Sequence, residues 1–167
     1  MKTLVLGIGN PILTDDAVGV RVADMVTAAL ASGAAGRVDV DSVSVGGLAL
    51  MEALLGYERA ILVDALQWPG EPPGALHRLT LEDLRGASPT EHSVSPHDTS
   101  LVMALDLGRQ MGLPLPEEVV VYAVAVENVV DFGEQPTPAV AAAIPHAAAA
   151  VLAELHISGD GGVGGGA

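Results

Sequence analysis

The first nineteen residues, MKTLVLGIGNPILTDDAVG, restrict the fold more than any other stretch. Residues 2–8 are an apolar run rich in Leu, Val and Ile, which suits a single strand buried on both faces. Gly7, Gly9, Asn10 and Pro11 break the run with turn-forming residues. Thr14 is the expected N-cap of a helix whose apolar pattern starts behind it. Asp15 and Asp16 then fall in the first helical turn, where the positive end of the helix dipole favours carboxylates. The carboxyl end of a strand is also where α/β sheets hold their ligands. Two readings of the acidic pair stand side by side: helix-end electrostatics alone, or part of a site.

A nucleotide fold does not fit. Gly7-x-Gly9 opens like G-x-G-x-x-G, but the third position is Ile12, and acids in place of a pyrophosphate would repel it. The chain has no G-x-x-x-x-G-K-[ST] loop, no G-x-S-x-G elbow and no H-E-x-x-H helix. With no cysteine, thiol nucleophiles, disulfides and thiolate metal sites are excluded. A formal charge of −14 argues against nucleic acid and anionic membranes as partners and is compatible with a basic peptide or a cation as ligand. The start does not read as a signal peptide, and no run of ~18 apolar residues is free of breakers. A cytoplasmic protein is expected.

The 167 residues suit one domain over 1–157, followed by a glycine-rich, disordered tail over 158–167. Periodicity predicts a helix over 15–30, a strand over 37–45, a short helix over 48–56 and a strand over 59–65. Strand and helix alternating in this way make a parallel sheet covered on both faces. Residues 76–81 suit a short edge strand, and 82–93 read as a polar, irregular loop. Ser95-Pro96-His97-Asp98 opens a helix reaching about Met111, with Ser95 as cap, Pro96 at the first helical position and Asp98 near the place of a capping-box acid. VVVYAVAV, residues 119–126, is the clearest strand, residues 127–135 form a loop, and an alanine-rich helix runs from Thr137-Pro138 to about Leu155 with a kink expected at Pro145.

This arrangement brings three polar residues toward one sheet edge: Asp16 past the first strand, Asp64 at the end of the third, and His97 at a helix start. Two carboxylates and an imidazole suit a borderline metal such as Zn or Ni, with a position left open for a further ligand. The helix start favours neutral His97, the form that binds metal. Each residue also has a plainer reading: Asp64 as a cap or turn former, His97 as a surface residue. Asn10 either fixes its loop or presents its amide to a ligand, Asp15 is mainly a helix-end acid with a secondary role beside Asp16, and Asp98 orients His97 or caps its helix. His92 is a weaker ligand candidate. His77, His146 and His156 read as structural or exposed.

GIGNPILTDDAVG, GYERAILVDALQWPGEPPGALHRL, SPHDTSL and PTPAVAAAIPHAAAAVLAEL, in this order, resemble the hydrogenase maturation endopeptidases, which trim the large subunit of nickel–iron hydrogenases. The resemblance covers residues 1 to about 155. It implies a three-layer α/β/α fold, phosphorylase/hydrolase-like, around a mostly parallel five-stranded sheet with one antiparallel strand, for which residues 76–81 are the candidate. It implies a substrate, the nickel-loaded large-subunit precursor with its C-terminal extension, and a metal grip made by Asp16, Asp64 and His97 on nickel supplied by that substrate. It implies no organic cofactor, and a monomer is the favoured state. An acid nearby, Asp15 or Asp98, is then a candidate for proton transfer. The chain departs from the family in two places: Ala17 replaces a usual glycine, and Ser42-Val43-Ser44-Val45 replaces an Asp-Gly-Gly-Thr-like turn, with Asp41 one place earlier. A non-catalytic accessory protein that senses nickel insertion would need the same grip, and a metallohydrolase acting on small molecules is a third reading.

Overall fold

The structure is a computed structural model that describes residues 1–31, 37–44, 47–86 and 96–159. Its centre is a five-stranded sheet in the order β2-β1-β3-β5-β4. β1 (Thr3–Ile8), β2 (Val38–Val43), β3 (Arg59–Leu66) and β5 (Glu118–Ala125) are parallel. β4 (Leu76–Thr80) closes the edge antiparallel to β5, with Leu76 opposite Val124 and Thr80 opposite Val120. That is the antiparallel edge strand expected at residues 76–81.

The apolar runs of β1, β3 and β5 follow from burial on both faces. Side chains alternate across a strand, so each run supplies two cores. Leu4, Leu6 and Ile8, with Leu62, Val119 and Val121, pack under α2 (Leu48–Leu54), α3 (Leu81–Gly86) and α4 (Pro96–Gln110). Val5, Ile61, Val63, Val120, Tyr122 and Val124 face α1 (Val18–Ala31) and α5 (Pro138–Gly159). α1 lies unusually close to the sheet. A Cβ on Gly7 would strike the Gly19 carbonyl, and one on Gly19 would strike the carbonyls of Ile8 and Val63. The glycines of the opening motif thus serve helix-on-strand contact.

α5 is long and apolar enough to cross a membrane, with a mean hydropathy of 1.5 over Pro138–His156. Its apolar stripe lies on the sheet instead: Val140, Ala143, Ala147, Ala148 and Val151 are all buried there. Near its end, buried Glu154 accepts hydrogen bonds from Arg59 Nη2 at 2.7 Å, Arg78 Nε at 2.9 Å and the Tyr122 hydroxyl at 2.7 Å. Arg59 itself is 2% exposed and ion-paired to Glu118 as well. The Arg78 guanidinium, then the Tyr122 hydroxyl and the Arg59 charge, hold the Glu154 carboxyl down to about 2 against the effect of burial. Burial and the Glu154 charge push the Tyr122 phenol up to about 12.

Three expectations need correction. Residues 82–93 are not an irregular loop throughout, because α3 occupies Leu81–Gly86. Thr80 begins it: Asp83 accepts the Thr80 N–H at 2.7 Å and its N–H donates to the Thr80 hydroxyl at 3.2 Å. Thr14 is not an N-cap. It begins a 3-10 turn, Thr14–Ala17, that precedes α1, and Leu13 holds the cap position without a side-chain bond. α5 takes in Ser158 and Gly159, the first residues assigned to the tail, and residues 160–167 lie outside the described residues.

Candidate active site at the carboxyl edge of the sheet

β1 ends at Ile8, and the chain must then turn back over the sheet to start α1. Gly9 makes the turn with φ +147, and a Cβ there would strike the Asp16 carbonyl. Asn10 shapes the next residues: its Oδ1 accepts the Ile12 N–H at 3.1 Å, and its carbonyl accepts the Leu13 N–H at 3.2 Å. The Asn10 N–H donates to Asp16 Oδ2 at 2.8 Å. Asp16 is half-buried, so a backbone donor fixes one carboxylate oxygen while part of the group faces solvent.

Asp15 has a different role. It is fully buried and belongs to a junction with the loop after β5. Its Oδ1 accepts the Thr137 N–H at 2.7 Å and the Thr137 hydroxyl at 2.9 Å. Its Oδ2 accepts the N–H groups of Glu127 at 3.2 Å and Asn128 at 3.0 Å. Backbone contacts extend the junction: Thr14 N–H to the Gly133 carbonyl, Asp15 N–H to the Asn128 carbonyl, and Gly133 N–H to the Ile12 carbonyl, each at 2.9 Å. Thr14 adopts φ +46, a left-handed conformation costly for a threonine, and its hydroxyl donates to the Asp131 carbonyl at 2.6 Å. Asp15 is therefore more than a helix-end acid, because it binds two loops into one platform beneath Asp16.

Asp64 is buried on β3, one residue beyond the last β1–β3 pair at Gly7 and Val63. By strand alternation it continues the series Ala60, Leu62 on the face covered by α2, α3 and α4. Its Oδ1 accepts the N–H of Ala65 at 2.8 Å. His97 and Asp98 belong to the first turn of α4, and their side chains lie outside the described residues, as does His92. The segment after α4 fixes the direction of that helix. The Gly56 N–H donates to the Pro114 carbonyl and the Glu117 N–H to the Glu58 carbonyl, so the end of α4 leads into the amino edge of the sheet. Fifteen residues at about 1.5 Å each carry its beginning back to the carboxyl edge. The backbone positions of Asp16, Asp64 and residue 97 thus share that edge. Among the described residues no three His, Cys, Asp or Glu side chains are grouped to hold a metal.

Ser42 and Asp41 stand on β2, opposite Gly7 and Leu6. Both are exposed, and Asp41 Oδ1 accepts the Ser42 N–H at 2.8 Å. Ala17 is fully buried and needs no glycine-like freedom. Of the other histidines, His77 pairs with Glu71 at 3.2 Å and lies against the Trp68 ring, while His146 and His156 are exposed. Sequence reasoning missed Thr14, Asn128 and Thr137 as partners in the junction. The only local sign was the turn-forming Asn128, which does not show what it joins.

Comparison with known proteins bears on the fold and the family. Residues 39–154 match the HycI family, described as hydrogenase maturation protease. The hydrogenase 2 maturation protease of Escherichia coli K12 is 29% identical over 163 residues, covering 95% of this chain and 93% of that protein. The solved structure of the hydrogenase maturating endopeptidase HybD from E. coli superposes with a TM-score of 0.76 at 28% identity, covering 95% and 94% of the two chains. A hydrogenase 2 maturation peptidase from Thaumarchaeota archaeon SCGC_AB-539-E09 gives a TM-score of 0.66 at 26% identity, covering 93% and 98%. The paired acids behind β1, the sheet with its antiparallel edge and a match over most of the chain lead to one conclusion: this protein belongs to the hydrogenase maturation protease family.

Proposed function

We propose that this protein is a cytoplasmic endopeptidase that removes the C-terminal extension of a nickel-loaded [NiFe]-hydrogenase large-subunit precursor. The observation that carries the reading is Asp16: a half-buried carboxylate with one oxygen held by the Asn10 N–H, standing on a platform of interlocked loops at the ligand-binding edge of an α/β sheet. In this proposal Asp16, Asp64 and His97 grip nickel that arrives seated in the precursor. Carboxylate and imidazole donors suit that ion. The nickel belongs to the substrate, so cleavage waits for metal insertion.

Asp16, Asp64 and His97 would hold the substrate's nickel, which would supply Lewis acidity for the scissile carbonyl or for the attacking water. Asp15 is a poor proton carrier here, because both of its oxygens already accept donors in a buried junction. Its part is to position Asp16. The test is processing of purified nickel-loaded precursor by Asp16→Ala, Asp64→Ala and His97→Ala. Each variant is expected to lose about a hundredfold or more in rate. Full processing by all three would end the proposal. Wild-type protein that forms a stable complex with uncut precursor would make it a non-catalytic sensor of nickel insertion instead.

A further inference from the structure

Among the described residues Val130 and Phe132 are the most exposed large apolar side chains, at 77% and 83%, and Ile12, 47% exposed, lies on the same unit. Single exposed apolar residues are ordinary, but several on one rigid unit mark a contact surface. These belong to the two interlocked loops. Gly133, next to Phe132, donates its N–H to the Ile12 carbonyl, so the two side chains spring from adjoining backbone. Val130 sits in a turn closed by Asn128, whose Oδ1 accepts the N–H groups of Val130 at 3.3 Å and Asp131 at 3.2 Å, and whose Nδ2 donates to Asp131 Oδ2 at 2.9 Å. The Thr14 hydroxyl holds the same turn through the Asp131 carbonyl. The turn cannot fold its apolar side chains inward without breaking these bonds. The surrounding charge is mostly negative: Glu127, Asp131 and Glu134 are exposed and Asp16 is half-buried, against the one positive charge of Arg21 beside Glu134. Arg21 is committed to the Glu134 carbonyl at 3.1 Å.

We propose that Ile12, Val130 and Phe132, ringed by Glu127, Asp131 and Glu134, form the surface on which the hydrogenase large-subunit precursor docks, through a segment carrying apolar side chains beside a lysine or arginine. The inference rests on the endopeptidase reading for the identity of the occupant. The acidic rim, which calls for a basic segment, and the continuity with Asp16 through the Asp15 junction come from the surface itself. Prepaid order in the loop lowers the entropy cost of binding, and rim acids steer a basic partner. The surface accounts for recognition next to the cut, while the acids and His97 account for the metal.

The test uses the full-length protein and purified nickel-loaded precursor from the same organism, with binding and processing measured separately. The double variant Val130→Ser/Phe132→Ser is expected to weaken binding and raise KM about tenfold or more, with kcat within about twofold of wild type. Glu134→Gln is expected to reduce the salt dependence of binding. Met111→Ser, at an exposed apolar residue just past the end of α4 by the amino edge, is expected to change neither. Unchanged binding and KM in the double variant would overturn the proposal, and so would a fall in kcat at constant KM. If wild-type protein binds precursor without cutting it and the double variant loses that binding, the docking surface stands and the endopeptidase reading fails. Absence of binding by wild type would overturn the docking surface.

Discussion

Asp15→Asn is the sharpest test of the platform beneath Asp16. The change is isosteric and removes one acceptor oxygen and the charge. In the native junction Oδ2 takes two backbone N–H groups, from Glu127 and Asn128, and Oδ1 takes the Thr137 N–H and hydroxyl. An asparagine amide keeps an oxygen on one side only. The cheaper orientation leaves the oxygen toward Glu127 and Asn128 and turns the NH2 toward Thr137. The Thr137 hydroxyl can then rotate and accept, but the Thr137 N–H has no acceptor. A buried donor left unsatisfied costs about 1–3 kcal/mol, and the surviving bonds lose their charge assistance at about 0.5–1 kcal/mol each. The sum is about 3 kcal/mol. For a chain of this length it corresponds to a fall of about 6–12 °C in Tm if the junction melts with the rest of the fold. Hydrogen exchange localises the damage: the amides of Glu127, Asn128 and Thr137 are expected to lose protection before those of β1 and β3. Processing should fall as well, since the Asp16 loop loosens. A variant with an unchanged midpoint and native protection at those amides would refute the reasoning, because the junction would then contribute nothing to order.

Two further outcomes concern other parts of the molecule. Gly9→Ala is expected to cost about 3 kcal/mol or more, because φ +147 is hostile to an L side chain and the new Cβ meets the Asp16 carbonyl; a wild-type denaturation midpoint would contradict the turn geometry. The Glu154 carboxyl is held at about 2 in the folded protein against an ordinary 4.5, so its contribution of about 3 kcal/mol is fully present above pH ~4.5 and is lost as pH falls through about 2. Glu154→Gln should lower stability at neutral pH and flatten that acid limb in urea titrations, and an unaltered limb would remove Glu154 as its source.

The readable parts of the fold were those whose physics is local. β1, β3 and β5 declare themselves because burial on both faces demands unbroken apolar runs. The edge position of β4 was legible from its short, mixed sequence, LHRLT, between turn-rich segments. α3 escaped notice because LEDLRG is short and mostly polar, with Leu84 its one buried side chain. The carboxyl-edge location of Asp16 and Asp64 was legible from strand ends alone. The separate duties of Asp15 and Asp16 were not. Both acids are adjacent in the sequence, yet one faces partners 112 to 122 residues away and the other faces an amide six residues back. Thr14 misled for the same reason, since its hydroxyl bonds across the molecule instead of capping its own helix. The Arg59–Glu154–Arg78 cluster likewise needs three distant segments to meet.

That cluster has a consequence for how the last helix finds its seat. The fully buried stripe of α5 is built mainly from Ala143, Ala147 and Ala148 with Val140 and Val151, small residues that look much alike from one turn to the next, flanked by the partly buried Ile144, Leu152 and Leu155. A smooth surface of that kind fits the sheet nearly as well after sliding by a turn, so apolar contact alone does not choose the alignment. Glu154 supplies the index mark. Displaced by one turn, about 5.4 Å, it would leave two guanidinium groups and a phenol without their shared anion. The helix is thus held tightly by its alanines and stopped at the right notch by a single charge.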